Sequence, residues 1–175
     1  MGNKLIITNT YNYQTLIMKI IDLPSDFIIR DFQEKDYDEI VRFWQLTDLG
    51  NPDRGDTIDI IRRTLDLGGK LLVLQLKAEG RICGTSWMTY DGRRIMLHHF
   101  GILPEYQRKG LSKMLLKESL KFVSEKGSQV KLEVHSGNLK AINLYKKCGF
   151  QYIDTVDLGL GNYGLNWFKL FEKTI

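Results

Sequence analysis

One stretch, His98 to Phe150, restricts the fold more than any other part of the chain. It begins as an apolar strand that stops at Ile102-Leu103-Pro104, because proline cannot continue a ladder. Gln107-Arg108-Lys109-Gly110-Leu111-Ser112 then turns into a helix predicted over Leu111 to Lys126, with Leu111, Leu115, Phe122 and Val123 on or near one stripe and Gly127 as its stop. Val130 to Val134 alternates as a half-buried strand. Asn138 caps a further helix, in which Ala141, Leu144, Tyr145 and Cys148 fall at i, i+3, i+4 and i+7. This order gives a mixed α/β domain.

The turn has a physical use. The first N–H groups of a helix have no intrahelical acceptor, and the helix dipole adds positive potential there, so a phosphate suits the position. Gly110 lets backbone approach a ligand, and Arg108 and Lys109 add charge. On residue types alone, the better reading of the turn is an ordinary helix start, since many helices open with a glycine and a basic pair.

Two motifs add context. Gln107-x-x-Gly110-x-Ser112 follows a strand, and Asn138-x-x-Ala141-x-x-x-Tyr145-x-x-x-Gly149-Phe150 comes after it in the chain. Together they resemble the acetyl-CoA signatures of the GNAT N-acetyltransferase superfamily. Ser112 departs from that pattern, which has Gly or Ala there, but a hydroxyl is small and can itself bond a phosphate. The resemblance runs from about Phe27 to Lys173.

The resemblance implies a single α/β domain with a central, mixed, mostly antiparallel twisted sheet of six to seven strands flanked by about four helices. It implies acetyl-CoA as co-substrate and acetyl transfer to a primary amine by direct attack. The strand Arg94–Ile102 is expected to splay from the next strand, so that backbone at Phe100, Gly101 and Ile102 pairs with the pantetheine arm. Gln107, Arg108, Lys109, Gly110, Leu111 and Ser112 hold the pyrophosphate, mainly through N–H groups. Asn138 contacts the cofactor arm besides capping its helix. Tyr145 matches the family's tyrosine near the thioester sulfur, the candidate general acid; a phenol with an ordinary pKa of ~10 is protonated at neutral pH and can donate to a thiolate.

The proton acceptor is less marked. His98 and His99 are adjacent, so on a regular strand they point to opposite faces. His98 falls where one branch of the family has a histidine lining a proton path, whereas many relatives have a glutamate two residues earlier, where this chain has Met96. His98 or water is therefore the expected acceptor, and His99 and His135 are read as structural.

The remaining chain fits one domain. Its 175 residues suit a single core, and 43% hydrophobic with 26% charged residues is ordinary globular composition. Cys83 and Cys148 lie far apart within apolar patterns, and read as buried free thiols of a reducing, cytoplasmic compartment. No leader segment, membrane span or metal-ligand spacing is expected. The net charge of +4 concentrates between Arg108 and Lys147, where ten basic residues face three acids. A solvated helix face explains most of this, and attraction of a polyanionic cofactor explains part. No nucleic-acid motif accompanies it.

Ahead of the core, residues 1–25 read as an extension: an added strand or hairpin, or a segment packing on another subunit as in a homodimer. The domain proper is 26–175. Phe27–Phe32 is its first strand, followed by a helix with Tyr37, Ile40, Val41, Phe43 and Trp44 on a stripe, the loop Asn51–Asp56, and a helix capped by Asp56 or Thr57. Strands follow at Lys70–Lys77, Ile82–Tyr90 and Arg94–Ile102, the last two joined by the hairpin turn Asp91-Gly92. Phe150–Asp157 and Tyr163–Phe171 complete the sheet. By the same resemblance, the Asn51–Asp56 and Gly159–Tyr163 loops wall the acceptor side. Arg54, Trp44, Trp87, Tyr90, Tyr163 and Trp167 are candidate contacts there, with core packing the favoured reading for each of the aromatic residues. The acceptor is a small-molecule or peptide amine. A non-catalytic CoA-binding module on the same fold remains the alternative.

Overall fold

The computed structural model describes residues 23–127, 129–157 and 167–174. Seven strands form one sheet in the order β1-β2-β3-β4-β5-β7-β6. They are β1 (Phe27–Asp31), β2 (Lys70–Leu76), β3 (Ile82–Tyr90), β4 (Arg94–Ile102), β5 (Gln129–His135), β6 (Gln151–Asp157) and β7 (Trp167–Thr174). Four α-helices accompany them among the described residues: α1 (Tyr37–Thr47), α2 (Ile58–Asp66), α3 (Leu111–Glu125) and α4 (Leu139–Lys147). Every neighbouring pair is antiparallel except β4 and β5, which are parallel. That exception follows from α3, since a crossover helix returns the chain in its original direction.

The central strands are apolar on both faces because helices cover both. Along β2, Leu71 and Val73 belong to one buried cluster with Ile40, Phe43, Trp44, Ile61 and Trp87, while Leu72 and Leu74 belong to another with Leu97, Leu115, Leu116 and Val123. Alternation at period two sends successive side chains to opposite cores, so a continuous LLVL run is what two-sided burial requires. Each fully buried side chain of this kind contributes about 1.5–3 kcal/mol. Exposed β5 positions alternate instead: Val130, Leu132 and Val134 are buried and Glu133 is exposed.

Local chemistry sets the helix ends. Thr57 accepts the N–H of Ile60 and caps α2, leaving Asp56 free for another use. Asn138 Oδ1 accepts the N–H of Ala141 at 3.1 Å and caps α4. The last strand ends later than the expected Phe171, and the start of the expected Tyr163–Phe171 span lies outside the described residues. Residues 158–166 lie outside the described set, and β7 continues to Thr174 because β5 offers partners to its end, Gln129 opposite Thr174. The polar Glu-Lys-Thr tail gives no apolar signal of this pairing. Residues 1–22 also lie outside the described set. Among the described residues no helix is long and apolar enough to cross a membrane, and no His, Cys, Asp and Glu cluster has a metal-binding arrangement.

Candidate active site

The sheet is split at its middle. β4 pairs β5 only from Arg94 opposite Gln129 to Leu97 opposite Leu132. Beyond that point β4 runs on to Ile102 and β5 to His135, each paired among the described residues only on its outer side. On β4 the divergence coincides with a bulge: Thr85 faces Gly101 and Trp87 faces His98, so His99 and Phe100 together oppose Ser86. A bulge bends its strand and increases twist, and His99 takes the left-handed φ of 43° that absorbs the extra residue. Thr85 Oγ1 donates to the His99 carbonyl at 2.7 Å and accepts from Trp44 Nε1 at 3.0 Å, which pins the distorted backbone to α1. Phe100 and Gly101 are half-buried along the split, and Ile102 is buried.

The N-terminus of α3 lies just beyond the end of β4. Gln107 Nε2 donates to the Ile102 carbonyl at 3.0 Å, tying the turn to the strand end. Arg108 and Gly110 both have positive φ, 62° and 79°. Among the described residues the N–H groups from Arg108 to Ser112 have no acceptor, so they are available to a ligand. Gln107, Arg108, Lys109 and Gly110 are exposed, Leu111 anchors the turn in the core at 1% exposure, and Ser112 is half-buried. Successive N–H groups beside left-handed residues make an anion-binding concavity. The turn has the chemistry of an anion-binding cradle.

Tyr145 reaches the split from α4. Its ring is 6.0 Å from Phe100 and 5.5 Å from Phe150, and its side chain is buried. Burial pushes the phenol pKa well above its ordinary value, with nearby Cys148 adding to the rise. No described residue bonds its hydroxyl, so the proton is held and unspent. Cys148 is half-buried rather than sealed, and both cysteines are free thiols.

The histidine pair departs from strict alternation. The bulge brings the His98 and His99 rings to 6.4 Å rather than onto opposite faces. His98 Nε2 lies 3.1 Å from Thr89 Oγ1, and burial lowers its pKa to about 4, with His99 adding to the fall and Asp56 opposing it. His99 sits against Trp44 and Trp87, at 4.6 and 5.0 Å between ring centroids. Its Nε2 approaches Asp56 Oδ1 to 3.1 Å without hydrogen-bond alignment. Burial lowers its pKa too, against the pull of Asp56.

Around this pair, the loop Leu49–Asp56 closes tightly. A Cβ on Gly50 would fall 2.4 Å from His99 Nε2, and one on Gly101 would fall 2.5 Å from Leu49 Cδ1. Trp44 and Trp87 are stacked core residues, 0% and 3% exposed. Arg54 points to solvent near Asp48, at 3.7 Å. Tyr90 is half-buried with Lys126 over its ring, and Tyr163 and the Trp167 side chain lie outside the described set. Asp56 was legible only as a possible helix cap; no sequence signal links it to His99, 43 positions on. Gly137 donates its N–H to His135 Nδ1 at 3.1 Å, a local turn contact.

Residues 20–150 match the model of the acetyltransferase (GNAT) family. The chain belongs to that family. Solved structures carry the same GNAT fold. An acetyltransferase of the family from Streptococcus pneumoniae is 24% identical, with a TM-score of 0.70 over 85% of this chain and 99% of that one. A phosphinothricin acetyltransferase from Sinorhizobium meliloti, in complex with AcCoA, is 16% identical, with a TM-score of 0.73 over 86% of this chain and 89% of that one. An Arabidopsis thaliana protein in complex with the bisubstrate analogue CoA-Ac-MVNAL is 16% identical, with a TM-score of 0.72 over 86% of this chain and 99% of that one. In this GNAT chain the split, the open helix N-terminus and Tyr145 are contiguous along β4 and α4.

Proposed function

We propose that the protein transfers an acetyl group from acetyl-CoA to a primary amine. The observation that carries this is the split between β4 and β5, flanked by unbonded N–H groups at the start of α3 and by the hydroxyl of Tyr145. Free strand edges suit a ligand with amides along its length, and the Arg108–Ser112 turn suits its pyrophosphate. The family assignment and the AcCoA complex of a structural neighbour support the same ligand. Phe100, Gly101 and Ile102 present backbone to the pantetheine arm, Gln107 to Ser112 hold the phosphates, and Asn138 braces α4 beside the arm.

A thioester is already activated, so the protein need only position the reactants, receive the amine proton and protonate the leaving sulfur. The amine nitrogen forms the new C–N bond as the C–S bond breaks, with the electron pair leaving on sulfur. Tyr145 donates its proton to that sulfur, and His98 or water receives the proton from nitrogen. A buried neutral phenol is a suitable donor because it is never spontaneously ionised at neutral pH. The acceptor is a small-molecule or peptide amine: the neighbours' ligands, phosphinothricin in one enzyme's name and the MVNAL peptide in another's analogue, span that range.

A second reading, CoA binding without catalysis, is favoured only by Met96 standing where many relatives have a carboxylate. Two measurements separate them. Calorimetry with acetyl-CoA and desulfo-CoA is expected to give micromolar binding. Thiol release with a panel of phosphinothricin, spermidine, Met-Val-Asn-Ala-Leu and lysine is expected to show turnover with at least one amine. Binding with no turnover across the panel supports the non-catalytic reading, and no binding removes both.

A further inference from the structure

The Asp56–His99 pair has no part in the chemistry above, yet its surroundings are poor for a purely structural histidine. Both ring nitrogens of His99 are sealed from solvent without a formed hydrogen bond, and so is Nε1 of neighbouring Trp87. An unbonded buried polar group costs about 1–3 kcal/mol, so His99 Nδ1 and Trp87 Nε1, two such groups side by side, are retained against stability. Asp56 is fixed in place at the same time. Its Oδ2 accepts the Asn51 N–H at 2.7 Å, and its backbone carbonyl accepts from Tyr37 at 3.3 Å. The carboxylate is 16% exposed and the imidazole 14%, so their attraction is only weakly screened.

The charged and titratable groups facing His99 are Asp56 and Arg54 from the loop and His98 from its own strand; α1 and β3 contribute the neutral Trp44, Thr85 and Trp87. Arg54 opposes protonation, but it lies in solvent near Asp48. His98 has no carboxylate in contact and is a poor place to leave a charge; His99 has one at 3.1 Å.

We propose that His99, backed by Asp56, is where the acceptor amine's proton comes to rest, delivered through His98 or a water. The inference rests on the amine-transfer reading. The proton leaves the nitrogen as the C–N bond forms, converts His99 to imidazolium beside the Asp56 carboxylate, and passes to solvent after the products depart. Tyr145 regains from solvent the proton it gave to sulfur. His99 acts through another group, so it is a positioning residue.

The test is the pH dependence of kcat/KM with the fastest amine of the panel, for the wild type, His99→Gln and Asp56→Asn, alongside acetyl-CoA calorimetry. The wild type should lose activity on the acid side as His99 protonates. His99→Gln should abolish that limb and lower the plateau about 10²-fold, the low end for a general acid–base group. Asp56→Asn should move the limb to lower pH, because the carboxylate holds the His99 pKa up. Acetyl-CoA affinity should stay within twofold in both. Nitrogen-15 histidine NMR of the wild type and Asp56→Asn reads the same shift without turnover, should His99→Gln fail to fold. Turnover with an unmoved limb in both variants, or no change of His99 titration in Asp56→Asn, overturns the inference and leaves acetyl transfer standing. Acetyl-CoA binding with no turnover removes the function and the inference together.

Discussion

A phenol enclosed by Phe100 and Phe150 keeps its proton, and this decides what Tyr145 can do. Tyr145→Phe preserves the ring packing and deletes only the donor, so single-turnover thiol release should slow by about 10²–10⁴ while calorimetric CoA affinity is unchanged. An unaltered rate would take Tyr145 out of the proposed reaction. Tyr145 was legible in the sequence because a motif marks it, but its i+4 spacing from Ala141 describes a packed tyrosine equally well. His99 was the opposite case. Adjacent residues on a strand alternate, and nothing in the letters of His98-His99-Phe100 announces a bulge, so alternation predicts opposite faces where the structure has the two rings 6.4 Å apart. Contacts that join positions 56 and 99 are made by loop closure, and local pattern carries no trace of them.

Among elements, the helices and the inner strands were readable because one- or two-sided burial writes itself into spacing, as in Leu71 to Leu74. The N-terminus of α3 was readable too, through Gly110, whose φ of 79° costs any side chain about 1–2 kcal/mol. Gly110→Glu adds a carboxylate at the proposed phosphate site and should weaken CoA binding by tenfold or more, about 1.4 kcal/mol. Gly110→Ala separates the two causes: it carries the strain without the charge and should bind CoA more tightly than the glutamate variant. Equal affinity of wild type and Gly110→Glu would mean that this turn holds no phosphate. The split itself was not legible from spacing, since Val134 keeps the alternation of β5 past the point where the strands part; only the family resemblance suggested it.

For the whole molecule, one ion pair ties the edge strand to the first helix. Arg30 donates to both oxygens of Asp36, at 2.7 and 2.9 Å, with 19% and 6% of the side chains exposed. Burial alone would raise the Asp36 pKa, but the Arg30 bond and the Gln33 N–H outweigh it and hold the carboxyl below its ordinary value. A depressed pKa contributes stability above the unfolded value of ~3.9, and that contribution is lost as pH falls through the folded value. Thermal melts from pH 7 to 2.5 should therefore show the wild type destabilising below about pH 4. Asp36→Asn should start lower, by about 1–3 kcal/mol at pH 7, and vary less across the acid range; parallel curves would show that the pair does not set acid stability. The split sheet has a consequence of another kind. Two half-sheets meeting over a short parallel seam make an unfinished wall, and on the proposed binding mode a pantetheine arm laid along the gap is the missing course. A ligand present at a hundred times its Kd adds about 2.7 kcal/mol to the folded state. The melting temperature of this protein then becomes a gauge of acetyl-CoA supply, with the molecule sturdiest when its substrate is plentiful and easiest to open when it is scarce.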